Sequence, residues 1–111
     1  MINIEECCEN NSSCLIKETL ALISSKWTLH ILRELCNGTR RFGELKRSVA
    51  GISPKTLSAR LQELEYQGIV AKKIYAEVPP RVEYSLTPSG ESLKDIIVAL
   101  FSWGKEHLSS K

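Results

Sequence analysis

Three features of the sequence predict a mostly helical α+β domain. Apolar residues recur at helical spacing over most of the chain, whereas the stretch from Ile69 to Leu86 is rich in β-branched and aromatic residues, with alternation in its second half. Ser-Pro, Thr-Pro and Asn-Gly pairs mark the joints between these segments. At 111 residues the chain suffices for one domain whose core needs neither disulfide nor metal support. With 42% hydrophobic and 25% charged residues, the composition excludes collagen-like, low-complexity and disordered classes.

Each element has its own justification. Residues 14–23 place Leu15, Ile16, Leu20, Leu22 and Ile23 on one helical face, opposite Lys17, Glu18 and Ala21. Ser24-Ser25 interrupts this helix and can cap the next. Between Lys26 and Cys36, Leu29, Leu32, Leu35 and Cys36 share a face that Trp27 and Ile31 widen. Only His30, Arg33 and Glu34 are left for water, so this helix belongs at the centre of the domain. Asn37-Gly38 ends it.

Arg41 to Val49 reads as a short helix with Phe42, Leu45 and Val49 inward. Gly51-Ile52 turns the chain, and Ser53-Pro54, an N-cap followed by a first-turn proline, starts the next helix. That helix, Pro54–Gln67, carries a core stripe at Leu57, Leu61 and Leu64 and stops at Gly68. Ile69–Ala76 and Val82–Leu86 read as two strands. Glu77-Val78-Pro79-Pro80-Arg81 is their connecting tip, because consecutive prolines cannot sit in a paired ladder. Thr87-Pro88 starts a last helix with Leu93, Ile96, Ile97, Leu100, Phe101, Trp103 and Leu108 along one side. Residues 1–13 are expected as a mobile arm and 14–111 as a single domain. Helix, turn, helix and then a β-hairpin is the plan of a winged helix-turn-helix.

The net charge of +2 conceals a basic block. Residues 40–60 carry Arg40, Arg41, Lys46, Arg47, Lys55 and Arg60 against Glu44 alone, a footprint for a polyanion. In a helix-turn-helix the second helix enters the major groove of double-stranded DNA. The face of Pro54–Gln67 opposite its leucines offers Lys55, Ala59 and Gln62, flanked by Thr56 and Ser58. Lys and Gln bond base edges, Ser and Thr serve bases or phosphates, and an Ala methyl suits a thymine methyl. Ser53 and the free N–H groups of the helix start suit a phosphate. Arg40, Arg41, Arg47 and Arg60 are candidates to hold further phosphates. On the hairpin, Arg81 stands where a wing inserts a guanidinium into the minor groove, and Lys72 and Lys73 stand near phosphates.

Leu15, Ile16, Leu20 and Ile23, with Leu100, Phe101, Trp103 and Leu108, exceed what a three-helix core covers. Packing within one chain is the simpler use. The expected use is a homodimer contact, with the first and last helices presenting two reading helices to a palindromic site.

Ser25-Lys26-Trp27-Thr28, Leu32-Arg33-Glu34-Leu35, Arg40-Arg41-Phe42-x-Glu44-Leu45, Gly51-Ile52-Ser53-Pro54-Lys55-x-Leu57 and Pro79-Pro80-Arg81-Val82-Glu83-Tyr84-Ser85-Leu86-Thr87-Pro88-x-Gly90 closely resemble the HxlR family of transcriptional regulators, part of a broader MarR-like group. The resemblance covers about Cys14 to Leu108. It implies a winged-helix homodimer joined by its terminal helices, with DNA read by Pro54–Gln67 and the wing. In members that sense oxidants or electrophiles, a cysteine at the start of the first helix reacts, and Cys14 occupies that place. A helix N-terminus stabilises a thiolate, which suits the role. Cys7 and Cys8 are candidate resolving partners. The family's usual Pro after this cysteine is Leu15 here, and its Gly-Gly before Lys-Trp is Ser24-Ser25.

Other classes fit less well. Glu34-Leu35-Cys36 is similar to the motif of metal-sensing winged-helix repressors, but Gly38 replaces the second cysteine, and Cys7-Cys8-x5-Cys14 lacks zinc-site spacing. No metal, cofactor or enzymatic activity is expected, since neither His30 nor His107 has a carboxylate–nucleophile arrangement and no Gly-rich phosphate loop occurs. A winged-helix protein-interaction module is the alternative from another class. No apolar run approaches the roughly 18–20 residues that span a bilayer, and the acidic start lacks a signal peptide's features. The expected place is the cytoplasm, with double-stranded DNA, a second copy of the chain and a small-molecule or electrophile inducer as partners and no membrane.

Overall fold

Three hydroxyl caps set the helix starts. Ser25 accepts a hydrogen bond from the Thr28 N–H at 3.4 Å, Ser53 from the Thr56 N–H at 3.1 Å, and Thr87 from the Gly90 N–H at 3.1 Å. The computed structural model describes residues 20–22 and 24–108. Residues 20–22 are helical. They are followed by α1 (Lys26–Cys36), β1 (Arg40–Arg41), α2 (Phe42–Ser48), α3 (Pro54–Tyr66), β2 (Val70–Tyr75), β3 (Arg81–Leu86) and α4 (Pro88–His107). The expected arm 1–13, with Cys7 and Cys8, lies outside the described residues, as do Cys14, Leu15, Ile16 and Ile23.

The core forms where the stripes meet. Ile31, Leu32 and Leu35 of α1 are buried with Leu45 of α2, Leu57, Leu61 and Leu64 of α3, Val70 and Tyr84 of the sheet, and Ile97 of α4. Helix α1 is central, as its wide apolar face requires. Between α2 and α3 the chain turns at Gly51, whose φ of +85° is disfavoured for residues with a Cβ. Gly90 answers a different demand: a Cβ there would collide with the Ile69 carbonyl, so α4 passes the base of β2 only because the side chain is missing.

The sheet differs from a simple hairpin. Its order is β1-β3-β2, with Arg40 opposite Tyr84 and Arg41 opposite Glu83. Arg40-Arg41 has no strand pattern of its own; pairing with β3 makes it extended. It also moves the start of α2 from Arg41 to Phe42. Arg41, at φ −83° and ψ 159°, is the N-cap, and its N–H donates to the Glu44 carboxylate at 2.8 Å. Arg81 lies within β3 and not in the connecting tip, because it pairs with Tyr75. The architecture is a winged helix-turn-helix, with α2 and α3 as the paired helices and β2–β3 as the wing.

Candidate nucleic-acid interface

Helix α3 is divided lengthwise. Leu57, Leu61 and Leu64 are sealed in the core, while Lys55, Ser58, Ala59 and Gln62 face water and Thr56 is half-buried at the margin. Period 3.6 produces this division, since leucines at i, i+4 and i+7 occupy one stripe. The exposed strip is short-sided at Ser58 and Ala59, so the helix axis can come close to a groove floor.

The expected phosphate ligands fall into two sets. Arg41, Arg47 and Lys55 are exposed. Arg40 is half-buried and donates to the Thr39 carbonyl at 3.0 Å. Arg60 donates to the Glu63 carboxylate at 2.8 Å, and its buried Nε has no hydrogen-bond partner among the described residues. Ser53 is engaged in its cap: its hydroxyl accepts from the Thr56 N–H and donates to Thr56 Oγ1 at 3.0 Å. A phosphate at Arg60 or Ser53 must therefore displace or share an internal partner.

On the wing, Lys72 pairs with Tyr84 and Lys73 with Glu83. Adjacent strand residues point to opposite faces, so these two lysines, grouped in the sequence, do not address the same phosphate row. Arg81 is held in the sheet. Its Nη2 lies 3.3 Å from the Glu77 carboxylate, its Nε 3.4 Å from Glu83, and its guanidinium carbon 3.9 Å from the Tyr75 ring centroid. Sequence reasoning missed Tyr75, Glu77 and Glu83 as neighbours. Strand register was the signal, since it sets Tyr75 opposite Arg81 and Lys73 opposite Glu83.

The terminal apolar residues behave differently from one another. Leu20, Leu100, Trp103 and Leu108 are exposed, Trp103 to 56%, whereas Phe101 packs against the core beneath the Arg33 guanidinium, 5.0 Å from its ring centroid. Leu29, Leu100, Phe101, Gly104, Lys105 and Leu108 line a groove of about 580 Å³. Burial pushes the Cys36 thiol above its ordinary value and Glu91 adds to this, while Lys94 opposes it. A thiol held protonated is a poor nucleophile. No helix among the described residues is long and apolar enough to cross a membrane.

Comparison with known proteins agrees with this geometry. The family model described as HxlR-like helix-turn-helix matches residues 22–111. The chain is 47% identical over 92 residues to the HTH-type transcriptional regulator YkvN of Bacillus subtilis (strain 168), covering 83% of this chain and 78% of that protein. A MarR-family transcriptional regulator from Porphyromonas gingivalis W83 superposes with a TM-score of 0.82 at 42% identity, covering 89% of this chain and 97% of that one. The redox regulator HypR in its oxidized form gives a TM-score of 0.80 at 37% identity, covering 85% and 97%. The family match takes in every element from α1 to α4, and the chain belongs to the HxlR-like helix-turn-helix family of transcriptional regulators.

Proposed function

We propose that the protein regulates transcription in the cytoplasm by binding a palindromic promoter site in double-stranded DNA as a homodimer. The carrying observation is the water-facing strip of α3, Lys55, Ser58, Ala59 and Gln62, on a helix whose other side is wholly buried. Thr56 adds to this strip at its margin. Arg40, Arg41, Arg47, Arg60 and the helix start at Ser53 hold phosphates. The wing addresses the minor groove through Arg81, with Lys72 and Lys73 near the backbone. The exposed Leu20, Leu100, Trp103 and Leu108 support a contact between two copies, to which Leu15, Ile16 and the margin of Phe101 contribute.

Selection of genomic fragments by the reduced protein at near-physiological salt tests this reading. Enrichment of a palindrome in a few promoters is expected. Retention no tighter than nonspecific binding, roughly 10⁻⁴–10⁻⁶ M, would favour a protein-interaction module instead.

A thiol switch is the second part of the proposal. HypR is a redox regulator of the same fold at 37% identity. Cys14 at the expected start of the first helix, with Cys7 or Cys8 resolving, is the candidate sensor for an oxidant or electrophile. Cys36 is the poorer candidate because burial disfavours its thiolate. A change at Cys14 would act on the contact between copies and so on the spacing of the two α3 helices.

A further inference from the structure

Arg81 is not offered freely to DNA. One guanidinium sits between two carboxylates, Glu77 at 3.3 Å and Glu83 at 3.4 Å, and lies on the Tyr75 ring. Its side chain is only 27% exposed, with Glu83 at 23% and Glu77 at 48%. The arrangement is built by the sheet. Tyr75 is directly opposite Arg81, and Glu83, two residues on, shares its face. The Glu77 N–H donates to the Tyr75 carbonyl at 2.9 Å, which turns the chain so that the Glu77 carboxylate reaches back. Arg41 stands opposite Glu83 from the other edge, and the Lys73 ammonium lies 5.0 Å from the Tyr75 ring centroid.

We infer that Glu77 and Glu83 are specificity-determining residues of DNA binding: internal competitors that withhold Arg81 from ordinary phosphates and release it to a narrow, strongly negative minor groove. The inference rests on the DNA-binding reading above. A single backbone phosphate offers one charge, surrounded by salt that screens it over about 8 Å. The clamp offers two carboxylates already in place. A narrow groove gathers phosphates of both strands and strengthens the negative potential, so it alone outcompetes them. The exchange breaks no aligned bond at Nε, which has no hydrogen-bond partner among the described residues. The wing thus adds discrimination more than affinity.

The test uses the full chain with Glu77→Gln, Glu83→Gln and the double substitution. Binding is measured over a salt series on the duplex that the wild type selects and on a random duplex of equal length. In the double variant, binding to random DNA should tighten about two- to fivefold, the range of an exposed ion pair. Its salt slope should steepen by about 0.9, one added phosphate contact. The selected duplex should gain less, so the specificity ratio falls. Adding Arg81→Gln should abolish the gain. A ratio that stays constant or rises, or a gain that survives Arg81→Gln, overturns the inference. If Glu83→Gln unfolds the sheet, Glu77→Gln at its exposed position carries the same comparison. A wild type that does not distinguish the two duplexes overturns the proposed function itself, and the inference with it.

Discussion

The hydroxyl of Thr87 ties the wing to the last helix, and replacing Thr87 with valine isolates its worth. Oγ1 accepts from the Gly90 N–H at 3.1 Å and donates towards the Gly68 carbonyl at 2.6 Å, with the Ile69 carbonyl at 3.1 Å sharing that proton. Valine keeps the branched shape and the Thr87 N–H bond to the Ile69 carbonyl, and removes the rest. Loss of an N-cap costs about 1 kcal/mol. Loss of the donated bond costs about 1 kcal/mol more. The Thr87→Val variant should therefore be less stable by about 2 kcal/mol, lowering the Tm by about 10 °C. Urea unfolding at fixed protein concentration, followed by tryptophan fluorescence, measures it. Thr87→Ser keeps both bonds and should lose under about 1 kcal/mol. A valine variant within about 0.5 kcal/mol of wild type, or a serine variant as weak as valine, refutes the assignment.

Three other outcomes are expected. Lys55→Ala and Gln62→Ala should each relax preference at particular base pairs by about 1–3 kcal/mol, whereas Arg41→Ala should weaken all sequences alike in the same binding array. Unchanged preference in the first two would place the reading face elsewhere. Trp103→Asp should shift the protein to monomer in sedimentation without unfolding it, because the indole is exposed; a persisting dimer would move the contact to another surface. Cys14→Ser should abolish any response of DNA binding to diamide, and a full response would remove Cys14 as sensor.

The starts of α1, α3 and α4 were legible because each cap is a local device: Ser25, Ser53-Pro54 and Thr87-Pro88 act within four residues. The α3 strip was legible for the same reason, since one helical period separates leucines from polar residues. Strand β1 was not, because two arginines carry no strand signal and become extended only against β3. The Arg81 clamp escaped notice because it depends on register, which pairs residues six positions apart across a loop of unspecified geometry. The stripe on α4 is shared between the core and the surface. Only Ile97 is buried in the core, Leu93 and Phe101 pack on it in part, and Ile96, Leu100 and Trp103 face outward, since one helix can press only part of its girth on a small core.

Arg41 is at once the end of β1 and the cap of α2, so β1 runs straight into the helix-turn-helix while holding β3. β3 is thus paired on both sides, and on one side the pairing strand continues directly into α2. The molecule resembles a plug whose two pins have a set pitch. On the proposed mode of binding, the major-groove and minor-groove determinants would keep one fixed phase, and a single base pair inserted between them would leave one pin without a socket. In the proposed dimer, a signal that loosens the grip on DNA would act by swinging one whole plug against the other.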